Sequence, residues 1–273
     1  NIWLLTGAIM VFLMVFASNV LVNSDNRETI YIFGYSEDPN QVCGYFILPL
    51  VICMERMLHK EDKRFRIIYI LFLIAMIYCV FKTGSRGGLV AIMATVFLYT
   101  IISVKGMKNR IITAIVILAV LFIIIYFIIP ILPETIMNRF NIERILEDRA
   151  SNRFNIWLVL LTDMKTNIEN FVFGKGFYAT AEALSGAGIS NTVAHNHIIQ
   201  VLYDQGLIGC MLFIIMLATS AVRTFKRNRI LTVALFGMMV LSMSITVYPY
   251  YKPFWNVLIM GALNFVEEEE KNA

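Results

Sequence analysis

His195 and Asn196 are followed by nine residues and then by Gly206-Leu207-Ile208-Gly209. Continued as a helix, the stretch places Asn196, Gln200 and Asp204 at i, i+4 and i+8, one polar stripe down one face. A histidine heading such a stripe can act as a general base, because an imidazole's ordinary pKa, about 6.5, suits proton transfer near neutrality. Two arginines stand out beside it. Arg86 sits between Ser85 and Gly87-Gly88, and Arg153 has Trp157 four residues after it and Arg149 four before. A guanidinium grips phosphate oxygens through a bidentate fork, so Arg86 and Arg153 read as an anion clamp, with Arg149 a weaker candidate and the Trp157 indole a wall for a sugar ring.

Each of these residues also has a plainer reading. Arg86 can be a snorkelling side chain paired with a loop carboxylate. A helix from about Asn152 to Lys165, capped by Ser151, can rest Phe154, Ile156, Trp157 and Leu160 on lipid. Gly174-Lys175-Gly176-Phe177 is more in keeping with a tight turn than with an anion nest. A histidine at a loop end is often structural, and His195 and His197, two apart on a helix, point to different faces and do not suggest a metal pair.

The elements that must position these residues are membrane helices. The chain is 59% hydrophobic and 15% charged, where a soluble domain carries about 25% charged residues. Eight apolar runs follow one another: 2–22, 42–57, 67–81, 88–104, 111–129, 206–222, 230–247 and the shorter 254–266. They are too long and too continuously apolar for barrel strands. The expected fold is therefore all-α, a polytopic membrane helix bundle of about eight spans forming one domain over residues 1–273. One long loop, 130–197, lies between the fifth and sixth spans and carries amphipathic helices. The start at Asn1, at the edge of an apolar run and without a basic leader, suggests N-terminal truncation.

The basic turns give the orientation. Twelve Lys and Arg residues lie after the second, fourth and sixth runs, against Arg27, Lys82, Arg86 and Lys252 in the short turns on the other side. The positive-inside rule makes the basic side cytoplasmic, which places Arg86, the long loop and the aromatic Tyr248–Trp255 turn outside. Four scattered cysteines fit small core residues, the acidic Glu267–Glu270 reads as a solvated tail, and a net charge of +4 is too small to imply nucleic acid.

Together these residues resemble the membrane-embedded family of O-antigen ligases and O-antigen, capsule or exopolysaccharide polymerases. The resemblance rests on Gly84-Ser85-Arg86-Gly87-Gly88 opening a helix, Arg153 and Trp157 four apart, Gly174-x-Gly176-Phe177, and above all His195-Asn196-x9-Gly206-x-x-Gly209. Asp38-Pro39-Asn40 matches more loosely, so the likeness covers about Asp38 to Gly209. It implies a GT-C-like glycosyltransferase of the bacterial plasma membrane, with its active face extracytoplasmic. The donor would be a glycan on undecaprenyl diphosphate and the acceptor a saccharide hydroxyl, with no cofactor and no metal. His195, Arg86 and Arg153 would be catalytic. Arg149, Trp157, Asn196, Gln200 and Asp204 would bind substrate. Asp204, two helical turns from His195 and so about 13 Å away, would act at a distance.

Polymerase is favoured over ligase, and a transporter of lipid-linked sugars or a scaffold in the export machinery is the alternative of another class. Beyond membrane lipid, partners of the kind expected are a chain-length regulator or export proteins. Family members usually have ten to twelve helices, about four more than are present here.

Overall fold

The computed structural model describes residues 1–16, 27–32, 35–59, 65–141 and 152–272. Its order is α1 (Ile2–Phe16), a short antiparallel ladder of β1 (Tyr31–Ile32) and β2 (Tyr35–Ser36), α2 (Pro39–Val42), α3 (Gly44–His59), α4 (Arg66–Lys82), α5 (Arg86–Ser103) and α6 (Met107–Ile128). There follow α7 (Glu134–Met137), α8 (Arg153–Met164), α9 (Ile168–Phe173), α10 (Ala179–Gly186), α11 (His197–Arg227), α12 (Arg229–Ser242) and α13 (Lys252–Asn272). Apart from the two-residue ladder, the regular structure is helical.

A helix occupies each of the eight apolar runs. Among the described residues three helices, Pro39–Leu58, Arg86–Ser103 and His197–Phe225, are long and apolar enough to cross a membrane, and Ile2–Phe16 and Arg229–Ser242 are shorter apolar helices. The centre of the bundle is α12, which packs on both α5 and α3 and buries Val233, Ala234, Leu235, Met238 and Leu241. A Cβ on Gly237 would stand 2.1 Å from Thr95 Oγ1. Small residues at such a crossing let two helix backbones come close, the usual way helices gain packing energy in lipid. Thr95 meanwhile returns its own proton to Ala91 O, 2.6 Å away, and leaves no polar group unsatisfied there.

Polar ties collect at the two ends of this bundle. At one end Arg229 Nη2 lies 2.5 Å from Glu55 Oε1, Tyr99 donates to Glu55 Oε2 at 2.8 Å, and Arg56 donates to Asn1 Oδ1 at 2.5 Å. These join the start of α1 and the ends of α3 and α5 to the start of α12. At the opposite end Lys82 donates to Met14 O, Ser85 to Asn40 Oδ1, and Gln41 Nε2 to Thr246 O. From α1 through α3 and α4 to α5 the helices therefore run in alternating directions, with the first set of ties at the end that carries the basic turns.

The part of the long loop that is described packs as protein on protein. Ile156, Leu160 and Met164 of α8, Leu184 of α10, Ala194 and Tyr203 form a buried cluster. This corrects the picture of α8 resting on lipid: of the four residues assigned to lipid, Ile156 and Leu160 are fully buried, Trp157 is half-buried, and only Phe154 is exposed. The helix begins at Arg153 behind a left-handed Asn152 that makes no side-chain cap. Ser151, the expected cap, lies outside the described residues.

The sixth apolar helix also begins earlier than its apolar run. α11 starts at His197 and is broken at Gly206, whose φ of 69° and ψ of −172° are not helical. The polar stripe thus occupies its own helical piece, 197–205, above an apolar piece that starts at Leu207.

Candidate functional site

The floor of the site is the turn before α5. Ser85 caps the helix, accepting from Gly88 N at 2.9 Å, as hydroxyls at this position do. Gly87 and Gly88 let other groups approach, as the sequence suggests, but those groups are protein: a Cβ on either would meet Ser244 Oγ at 2.1 Å or Cys43 Sγ at 2.2 Å. Beside them the Arg86 Nε donates to Arg139 O at 2.6 Å, and Arg139 Nε donates back to Gly84 O at 3.1 Å.

Asn40 joins this turn to the first polar segment. Its Oδ1 accepts from Ser85 Oγ at 2.8 Å and from Arg27 Nη2 at 2.9 Å, while its Nδ2 donates to Asp38 Oδ1 at 2.7 Å. Arg27, only 5% exposed, also gives its Nε to Thr83 O at 2.9 Å. A buried guanidinium with this many fixed acceptors is a rigid positive charge under the floor.

His195 stands over that charge in a left-handed conformation, φ 50°. Histidine tolerates this region better than most residues, yet it costs on the order of 1–3 kcal/mol and persists only where surrounding contacts impose it. Those contacts are present on both flanks. Trp157 Nε1 donates to Ala194 O at 2.9 Å, and Ala194 N donates to Gln200 Oε1 at 2.8 Å. Asn191 Nδ2 lies 3.1 Å from His195 Nε2, a contact that holds the ring when Nε2 is the accepting nitrogen.

Burial pushes the imidazole below its ordinary pKa; Arg153 pushes the same way, Asp38 pushes back, and Arg27 adds to the lowering. The neutral, proton-accepting ring is the favoured form. The same influences show that Arg153, Asp38 and Arg27 all lie within electrostatic reach of His195.

The stripe below His195 is a closed network. Gln200 Nε2 donates to Thr180 Oγ1 at 2.7 Å and to Asp204 Oδ2 at 2.8 Å, and Thr180 Oγ1 lies 3.0 Å from Asp204 Oδ1. Asp204 therefore reaches His195 through Gln200 and the Ala194 amide. Asn196 spends its Oδ1 on capping α11, accepting from Ile198 N and Ile199 N. The break under the stripe is pinned by a second glycine. Lys175 N donates to Tyr203 O at 3.0 Å and Gly176 N to Asp204 O at 2.9 Å. A Cβ on Gly206 would lie 2.3 Å from Val172 O, and one on Gly174 would lie 2.4 Å from Asp204 O. Gly174-x-Gly176 is accordingly a backbone clip on α11. Lys175 secures it through Asp163 Oδ2 at 2.6 Å.

A cavity of about 940 Å³ opens beside α11. Tyr178, Thr180, Gln200, Asp204, Tyr248 and Tyr250 line one end of it; Leu212, Phe213 and Met216 line the other. Val193 and His197, the residues two before and two after His195, are both on its wall. A smaller cavity, about 310 Å³, lies at Trp3, Leu48, Pro49 and Met238 and is a seam between helices.

Of the sequence candidates, His195, Arg153, Trp157, Asn196, Gln200 and Asp204 gather around the start of α11. Arg86 follows Ser85, which bonds Asn40 beside Arg27, while its own Nε is directed to Arg139 O. Arg149 lies outside the described residues. Sequence reasoning missed Arg27, Asn40, Arg139 and Asn191 as parts of this site. Arg27 carried a readable signal, being, like Arg86, an arginine in a short turn on the side that disfavours it.

A polytopic helical membrane protein with a half-buried histidine of lowered pKa and several guanidiniums at one end of its bundle is the class these features define. Residues 71–214, more than half of the chain, match the O-antigen ligase family model, and the chain belongs to that family. Its members are glycosyltransferase-like enzymes. The match takes in Arg86, Arg153, Trp157, His195 and the Gly206–Gly209 pair; Asp38 and the Tyr248 turn fall outside it. No curated protein matches the chain.

Proposed function

We propose that the protein is a polymerase of surface polysaccharide, transferring glycan from undecaprenyl diphosphate to an acceptor sugar hydroxyl on the extracytoplasmic face of the bacterial plasma membrane. All eight apolar helices would span, with the basic turns inside. In this reading the hydroxyl attacks the anomeric carbon, His195 Nε2 takes its proton, and the bond to the lipid diphosphate breaks, with the electron pair going to phosphate oxygen. Arg86 and Arg153, with Arg149 as a further cation, stabilise the charge that develops there, a task guanidinium groups perform without a metal. Trp157 positions the His195 loop, and Gln200 and Asp204 hold it from below.

The observation that carries this reading is the His195 ring: held in a left-handed backbone, with Nε2 3.1 Å from Asn191 Nδ2, and with burial and Arg153 both lowering its pKa. A base next to cations is what transfer from a phosphate-linked donor needs. Purified protein in proteoliposomes, given a lipid-linked oligosaccharide, should make longer glycans. His195→Ala, Arg86→Ala and Arg153→Ala should each cut that yield by about 10²-fold or more. Transfer to a lipid or wall acceptor without lengthening would make the protein a ligase. Translocation without transfer would make it a transporter, and unchanged glycan yield in all three variants would leave only a scaffold.

A further inference from the structure

α8 descends beside the upper piece of α11. Arg153 at its start lies within electrostatic reach of His195, Trp157 bonds Ala194 O, and Asp163 near its end accepts from Lys175 Nζ and from the Tyr203 hydroxyl. The chain then turns into α9, which packs on α11 where that helix is broken. A Cβ on Gly206 would meet Val172 O at 2.3 Å and Gly174 N at 2.4 Å. α9 therefore lies at the level of the break, about 13 Å along the helix from His197. One side of α9 is covered, with Phe171 against the α8 cluster. The other is open: Ile168 is 72% exposed and Phe173 68% exposed. The first residues of the apolar piece, Leu207, Ile208 and Met211, are open as well.

Length decides what covers these side chains. Between Gly206 and Arg223 the helix has 16 residues, a rise of about 24 Å, while the hydrocarbon of a bilayer is about 30 Å thick. With Arg223 among the headgroups on the far side, the hydrocarbon reaches past Gly206, to the level at which α9 crosses. An exposed isoleucine and an exposed phenylalanine at that level meet lipid rather than water, and the neighbouring Lys165 and Glu169, both exposed, can stay among headgroups.

We propose that α9 is a foot set in the leaflet on the His195 side, with Ile168 and Phe173 at the boundary between headgroups and acyl chains, and that the bilayer thereby steadies the Gly174–Gly206 clip on which the height of His195 depends. The partner is a lipid surface, held by apolar burial rather than by headgroup charge. The lipid contact that sequence alone gives to α8 thus moves one helix on. The inference needs α11 to span the membrane and is the same for a polymerase or a ligase.

The test measures depth. The full chain carries a nitroxide on Ile168→Cys or Phe173→Cys in phosphatidylcholine proteoliposomes; the four native cysteines are buried. Power saturation compares oxygen, which concentrates in hydrocarbon, with a nickel chelate confined to water. Oxygen should dominate several-fold at 168, at 173 and at the control Ile215→Cys on the open face of α11, and nickel should dominate at Asn155→Cys, exposed near the start of α8. Nickel-dominated labels at 168 and 173 beside an oxygen-dominated 215 overturn the inference while α11 still spans. A nickel-dominated 215 overturns the spanning reading along with it. Oxygen dominating at 155 would mean that α9 is not a distinct foot. Ile168→Asn with Phe173→Asn, both at exposed positions, should speed amide exchange at Lys175 and Gly176 several-fold in nanodiscs, since those N–H groups hold Tyr203 O and Asp204 O. Exchange equal to the wild type overturns the steadying role.

Discussion

Arg86 and Arg139 are cross-tied: Arg86 Nε donates to Arg139 O at 2.6 Å, and Arg139 Nε donates at 3.1 Å to the carbonyl of Gly84, two residues before Arg86. The 53-residue span between them is thereby closed at the floor of the site. Arg86→Ala removes both a cation and a tie, and is expected to lower kcat/KM on the order of 10²-fold. Arg139→Ala removes the reciprocal tie and should cost about 1 kcal/mol. Because the two side chains secure one junction, the double variant should fall short of the sum of the singles in a double-mutant cycle. Strict additivity would mean the ties are independent.

The pH profile reports on His195. In the proposed mechanism its working form is neutral, and burial and Arg153 lower its pKa. Activity should therefore persist as pH falls past about 6.5 and decline only below it, at the lowered value. Asp38 favours the protonated ring. Asp38→Asn, which keeps an acceptor for Asn40, should lower the pKa further and move the acidic limb of kcat/KM to lower pH. A limb that moves upward would show that Asp38 acts by another route.

Trp157 is expected to act through geometry. Trp157→Phe keeps the ring and loses the Nε1 bond to Ala194 O. One neutral hydrogen bond is worth about 1 kcal/mol, so a roughly fivefold drop in kcat is expected, with the KM for lipid-linked donor little changed. A large rise in KM with kcat preserved would instead make the indole a direct sugar contact.

Gly206→Ala tests the helix break. The left-handed φ alone costs about 1–3 kcal/mol, and the new Cβ would press on Val172 O at 2.3 Å. Folded yield and thermal midpoint in detergent should both fall. Gly188→Ala, also at positive φ but with open space around it, should be much milder. Equal losses in the two would mean that the contact with Val172 is not maintained.

What could be read in advance was local. Apolar length gave the helix positions, and Gly84-Ser85-Arg86-Gly87-Gly88 marked the start of a helix that opens at Arg86. The polar stripe followed from i, i+4, i+8 spacing and became one network through Gln200. What could not be read depends on partners far along the chain. Asn40 meets Ser85 across 45 residues and Arg27 meets Thr83 across 56, and no periodicity reports such pairs. Trp157 shows the same limit: its ring suggests lipid or sugar, and only the fold reveals that its nitrogen serves Ala194. The apolar face of α8 looks the same in sequence whether it covers lipid or the Leu184–Tyr203 cluster.

The break at Gly206 also turns a spacing into a gauge. With the lower piece of α11 fixed in the bundle and the clip from Gly174 fixing the junction, residues 197–205 set how high and in which direction His195 stands. One residue inserted there would raise the histidine about 1.5 Å and swing it about 100° around the helix axis, away from Arg153 and Asn191, though every side chain of the site was still present. The length of that piece is thus as much a constraint on this protein as the identity of its residues, and a single-residue deletion within it should silence the enzyme as fully as removing the histidine.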